Sequence, residues 1–206
     1  MKILLTGFEP FGRVRSNPSQ RIVQKIARSN ASLKRKASDP IVAEVLPVEF
    51  AAAEKKIRRL IRSVRPDAVL CLGVAAAREQ ICLERIALNM DDEVSPDNAR
   101  EVRTGRRIVR GAPLAYETSL PITRMLAALK KRGIRARISN HAGTYVCNHV
   151  FYAARHETEQ MRKKIPCGLI HVPMAGKARN GPKKRDMALN EMVEATQCCI
   201  QVLKNS

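Results

Sequence analysis

Short apolar runs alternate along this chain with amphipathic helical stretches, and a glycine, a proline or a polar turn closes most of the runs. Lys2-Ile-Leu-Leu-Thr6 before Gly7, Ile41–Val48, Asp67–Leu72 before Gly73, Ile81–Leu88, Ala136–Ser139 and Gly168–Val172 before Pro173 read as strands. Helices are predicted from Asn17, over Phe50–Val64, over Ser119–Lys131, after Gly143 and from Asp186 to the C-terminal end. Asn17 is placed to cap the first of these, with Pro18 in the first helical position and Gln20 as capping-box partner. Ile57, Leu60, Ile61 and Val64 form one stripe of the second helix, and Pro66 stops it. In the last helix Leu189, Met192, Val193, Thr196, Cys199, Ile200 and Leu203 make the inner side. Strand and helix alternate without a linker or an internal repeat. That pattern predicts one α/β domain over 1–206, a mostly parallel twisted sheet with helices on both faces. In such folds the chemistry sits at the carboxyl ends of strands.

Charge first suggests a different kind of protein. Among 206 residues there are 38 Lys and Arg against 19 Asp and Glu, a net charge of +19. An excess of that size points to an anionic partner. Yet the basic residues are scattered in short clusters such as Lys34-Arg35-Lys36, Lys130-Lys131-Arg132 and Lys183-Lys184-Arg185, and none forms an arm. Aromatic residues are 3% with no Trp, too few for a base-stacking platform. A solvated basic surface is the simpler reading, and nucleic acid is not the expected partner.

The six cysteines suit free thiols in a reducing cytoplasm better than a disulfide framework. The apolar run after Met1-Lys2 is too short for a signal-peptide core, and no run of about 18 apolar residues offers a membrane span. No metal is expected: Cys147 and His149 are two apart, and no second ligand pair has finger-like spacing.

Three reactive groups fall at or beside predicted strand ends. Cys147 follows a strand and a glycine near the start of a helix, where the positive dipole end favours a thiolate. His171 ends a strand just before Val172-Pro173, and Glu84 sits inside the apolar strand Ile81–Leu88, where a carboxylate needs a partner. A thiol, an imidazole and a carboxylate make up an activated-nucleophile set. Spacing alone leaves structural roles open for each: a small buried thiol, a strand-end histidine, a glutamate paired with Arg85.

The local motifs narrow this. Thr6-Gly-Phe-Glu-Pro-Phe-Gly12 with Asn17-Pro-Ser19, Gly73-Val-Ala-Ala76 with Glu84-Arg-Ile-Ala-Leu-Asn89, Pro96-Asp-Asn98, Ala115-Tyr-Glu-Thr-Ser-Leu-Pro-Ile122, Ser139-Asn-His-Ala-Gly-Thr-Tyr-Val-Cys-Asn-His-Val-Phe151 and His171-Val-Pro173 occur in that order. Together they resemble the pyrrolidone-carboxylate peptidases (pyroglutamyl peptidase type I) over nearly the whole chain. The resemblance implies a cytoplasmic cysteine peptidase that removes an N-terminal pyroglutamyl residue from peptides, without metal or organic cofactor. It implies Cys147 as nucleophile, His171 as general base and acid, and Glu84 as the group that orients the imidazole. Phe8 and Phe11 would clamp the lactam ring, with Asn17 nearby. It also leaves room for a homo-oligomer, dimer or tetramer.

The chain departs from the family pattern at several points. Arg13 stands where a second glycine is usual, Ala76-Ala77 where Gly-Gly is common, Val94 where many members carry an arginine, and Met174-Ala-Gly176 after the histidine motif. Loss of a cation at Val94 is expected to weaken thiolate formation or substrate binding.

Overall fold

The protein is described by a computed structural model over residues 1–12, 15–33, 40–176 and 187–205. In chain order its elements are β1 (Ile3–Phe8), α1 (Pro18–Leu33), β2 (Ile41–Leu46), α2 (Phe50–Val64), β3 (Ala68–Val74), β4 (Ile81–Leu88), β5 (Asp91–Glu93), β6 (Arg103–Arg106), β7 (Ala115–Glu117), α3 (Ile122–Lys131), β8 (Ala136–His141), α4 (Val146–Glu159), β9 (Cys167–Val172) and α5 (Leu189–Lys204). The main sheet runs β2-β1-β3-β9-β4-β7, with β8 also paired to β4. β1 with β2, β1 with β3, β3 with β9 and β4 with β8 are parallel pairs. β4 runs antiparallel to both β9 and β7. The fold class is therefore the expected one, with a reversal at β4. Its cause is the short link from Val74 to Ile81, which cannot hold the crossover that a parallel return needs.

Period-two alternation in the apolar strands feeds two cores. Ile3, Leu5, Leu70 and Leu72 pack toward α1, α3 and α5, while Leu4, Phe8, Val69 and Cys71 pack toward α2 and α4. Each fully buried Leu or Ile contributes about 1.5–3 kcal/mol, so both helical layers are held to the sheet.

Several boundaries differ from the sequence reading. β1 continues through Phe8 and β3 through Val74, so Gly7 and Gly73 lie inside strands and do not end them. Asn17 caps α1 by accepting from Ser19 N at 3.0 Å, and the Ser19 hydroxyl, not Gln20, completes the cap with a 2.8 Å bond to Asn17 Oδ1. α3 starts at Ile122, after Pro121. The short strands β5, β6 and β7 occur in a segment too polar for hydrophobic periodicity to show them. Asp186, the expected start of the last helix, lies outside the described residues, as do Lys34–Lys36 and Lys183–Arg185. Among the described residues no helix is long and apolar enough to cross a membrane.

Candidate active site

Strand register brings the reactive groups together. His171 and Gly73 are direct partners across the parallel β9–β3 pair. On its other side His171 faces Cys82 of β4, and Glu84, two residues further on, shares that face of the sheet. His171 Nδ1 donates to Glu84 Oε1 at 2.9 Å. Both side chains are buried, Glu84 completely. Glu84 Oε2 has no partner among the described residues, so the imidazole carries the compensation of this buried carboxylate.

Cys147 arrives from the helical layer above the same face, in the first turn of α4. A Cβ atom built on Gly73 would lie 2.8 Å from Cys147 Sγ and 3.0 Å from His171 Nε2. Sulfur and imidazole thus converge over a bare α-carbon. Burial by itself disfavours a charged His171, but hydrogen bonds to Cys147 and Glu84, and their negative charge, outweigh it and raise its pKa to about 9. Cys147 is half-buried, whereas Cys71, Cys82, Cys167, Cys198 and Cys199 are buried.

α1 is capped by Asn17, and α2 by Asp97, whose Oδ2 accepts from Phe50 N at 2.9 Å. The N-cap residue of α4, Tyr145, makes no side-chain cap. First-turn N–H groups have no partner inside a helix, and in α4 that turn carries the sulfur.

The glycine- and proline-containing loop after β1 is pinned from three sides. Asn17 Nδ2 donates to Glu9 O at 2.9 Å, and Ser19 Oγ accepts from Phe8 N at 3.0 Å. Asn98 Nδ2 donates to Glu9 Oε1 at 2.9 Å and to Pro10 O at 3.0 Å. Both ends of the Asn17 amide are therefore occupied by the chain itself. Phe8 and Phe11 occupy different settings. Phe8 closes β1 inside the core shared with α2 and α4, and Phe11 stands half-buried with its ring 6.2 Å from that of Tyr145. Tyr145, two residues before Cys147, donates its hydroxyl proton to Pro96 O at 3.0 Å, and burial pushes its pKa to about 12.

Gly73, Tyr145 and Asn148 carry no strongly reactive group, so residue chemistry alone does not mark them. Asn148 ties the start of α4 to the end of β4: its Oδ1 accepts from Leu88 N, and its Nδ2 donates to Leu88 O, both at 2.9 Å. Its place directly after the cysteine was the available signal.

Comparison with known proteins shows the family of the chain. The family model described as pyroglutamyl peptidase matches residues 1–206. The chain belongs to the pyroglutamyl peptidase family. The pyrrolidone-carboxylate peptidase of Oceanobacillus iheyensis is 40% identical over 202 residues, covering 98% of each chain. The crystal structure of Bacillus amyloliquefaciens pyroglutamyl peptidase I aligns with a TM-score of 0.89 at 34% identity, over 100% of this chain and 97% of that one. Pyrrolidone carboxyl peptidase from the hyperthermophile Pyrococcus furiosus gives the same TM-score at 34% identity, over 100% and 99%.

Most of the chain's departures from the family pattern lie among the described residues. Ala76 and Ala77 lie exposed in a turn closed by Arg78 N donating to Ala75 O at 2.9 Å. Among the described residues only Arg65 and Arg100 have positive φ outside glycine, so that turn needs no glycine. Met174 and Gly176 pair through their backbones with Met187, just ahead of α5. Val94 is 79% exposed on the β5–β6 connection; the positive charge facing the sulfur comes from His171 instead. Arg13 lies outside the described residues.

Proposed function

We propose that this protein is a cysteine exopeptidase, a single domain over 1–206, that removes an N-terminal pyroglutamyl residue from peptides in the cytoplasm. The convergence of Cys147 Sγ and His171 Nε2 over Gly73, with Nδ1 held by Glu84, carries the reading. His171 is protonated up to about pH 9, and an imidazolium beside the sulfur favours the thiolate as the attacking form. The thiolate attacks the carbonyl carbon between pyroglutamate and the next residue. The developing oxyanion is held by first-turn N–H groups of α4, that of Cys147 among them. His171 Nε2 gives its proton to the departing amine, and the C–N bond breaks to leave a thioester on Cys147. Water then attacks the thioester while Nε2 takes its proton. The C–S bond breaks, releasing pyroglutamate and restoring the ion pair. Glu84 keeps the imidazole in the tautomer and orientation that both steps need. The steps call for neither metal nor organic cofactor.

Selection follows from the substrate's chemistry. Pyroglutamate is flat, uncharged and without a free α-amine, which suits an apolar aromatic slot formed by the Phe8–Phe11 loop and Tyr145. Asn17 contributes by holding that loop. Six unpaired cysteines support the reducing compartment. Self-association into a dimer or tetramer rests on the family resemblance alone, and light scattering tests it. The activity is tested with 4-nitroanilides of pyroglutamate, proline and glutamine. Release of nitroaniline from the first alone is expected; equal turnover of the prolyl compound would overturn the assigned selectivity.

A further inference from the structure

Two residues beyond Cys147 a second imidazole is sealed inside the protein. His149 is fully buried. Its Nδ1 lies 2.8 Å from Asp91 Oδ2 and 3.0 Å from Oδ1, and its Nε2 lies 3.2 Å from Glu54 Oε2. A carboxylate oxygen only accepts, so both ring nitrogens donate and the ring is an imidazolium. Burial opposes that charge, but the bonds to Asp91 and Glu54 raise the His149 pKa above its ordinary value. Glu54 is held near 2, with the bond to His149 as the largest cause.

Every element around this ring contributes a charged or aromatic neighbour. From α2, Arg58 Nε donates to Glu54 Oε1 at 2.9 Å, and from α4 itself Glu157 accepts from Arg58 Nη1 at 3.1 Å. Arg103 of β6 donates to Asp91 Oδ2 at 3.0 Å, and to Glu101 Oε1 at 2.8 Å. The Arg103 guanidinium also lies 4.7 Å above the Phe50 ring, and Phe50 meets both His149 and Tyr145 edge-on at 5.5 Å. The same turn of α4 that lacks a side-chain cap and carries Cys147 is therefore fastened by charge to α2 and to β5.

We propose that His149 is a positioning residue for Cys147: its two N–H bonds, to Asp91 of β5 and Glu54 of α2, fix the first turn of α4 and with it the sulfur over Gly73. The kinetic consequence rests on Cys147 being the nucleophile; the placement of the thiol does not. Misplacing a reacting atom by about 1 Å costs about 100-fold in rate, while the slot for the lactam ring is built mainly from other segments. Loss of the bonds should therefore lower kcat and spare KM.

His149→Phe removes both donors, and His149→Gln keeps one. For folded His149→Phe, checked by near-UV circular dichroism, kcat on a pyroglutamyl 4-nitroanilide should fall by about 30-fold or more with KM within about two-fold. Alkylation of Cys147 by iodoacetamide, followed by peptide mass, should slow by about five-fold or more, and His149→Gln should recover part of both losses. A folded His149→Phe protein with kcat and alkylation rate both within about two-fold of wild type would overturn the proposal. If His149→Phe does not fold, Glu54→Gln decides: removing one of the two anions should move the alkaline loss of kcat to lower pH, and a profile superimposable on wild type would overturn it. Were the wild type inert toward pyroglutamyl amides, the proposed function would fail on its own. The alkylation rates, and in Glu54→Gln their pH profile, would then still decide the role of His149.

Discussion

Gly73 and Cys147 approach so closely that a single methyl group on Gly73 would stand 2.8 Å from the sulfur. Real Cβ contacts are essentially never that short, so one of the two must move. The same methyl group would crowd His171 Cδ2 at 2.9 Å. Gly73→Ala should therefore push sulfur and imidazole apart while leaving both hydrophobic cores intact. Activity on a pyroglutamyl amide is expected to fall by about 100-fold or more, with a thermal midpoint close to wild type. Retention of near-wild-type kcat would show that the pair does not meet over this residue.

Replacing Glu84 by Gln keeps the shape at the far side of the imidazole and removes its charge. Oε1 can still accept, but an amide can equally present its N–H₂ group and favour the wrong tautomer. A loss of about 100-fold to 10,000-fold in kcat is expected, measured at saturating substrate. A loss below about three-fold would mean that Glu84 serves the core and not the reaction.

Stability should depend on pH through His171. Its folded pKa of about 9 lies above the ordinary 6.5 of the unfolded chain. The native state thus holds a proton that the unfolded state releases. That stabilisation is fully present below pH 6.5 and is lost as pH rises through about 9. Urea midpoints of wild type should fall between these values more steeply than those of His171→Gln. Parallel profiles for the two proteins would contradict the shifted imidazole.

Much of this was legible in the sequence, because the apolar strands and α2 are specified by local pattern. Ile81–Leu88 and Phe50–Val64 appear in the structure with the boundaries that periodicity gives them. Cys147, His171 and Glu84 were legible as candidates because each is a reactive group in a place where its type is unusual. Their meeting point was not, because it depends on register: Gly73 opposite His171, and β4 reversed against β9. β5 was hidden for another reason. Its stability comes from side-chain bonds such as that of Asp91 to His149, which hydrophobic periodicity does not detect. Asn17 and Asn98 read as motif residues in the sequence, and the structure shows them holding the Phe8–Phe11 loop through Glu9 and Pro10.

Asn98 gives that loop a separate test. It lies on the surface, so its removal should cost little stability, but it ends two bonds that hold Glu9 and Pro10. Asn98→Ala should raise KM several-fold, as expected for the loss of about 1 kcal/mol of loop order, with a smaller change in kcat. Unchanged KM would place the substrate's ring away from this loop.

The central claim is that the Cys147 sulfur attacks a pyroglutamyl amide with His171 and Glu84 behind it. Hydrolysis of a chromogenic pyroglutamyl amide by wild type and by Cys147→Ala, at matched concentrations of folded protein, tests it most directly. Turnover by wild type and none above background in Cys147→Ala is the expected result; equal rates in the two proteins would contradict it.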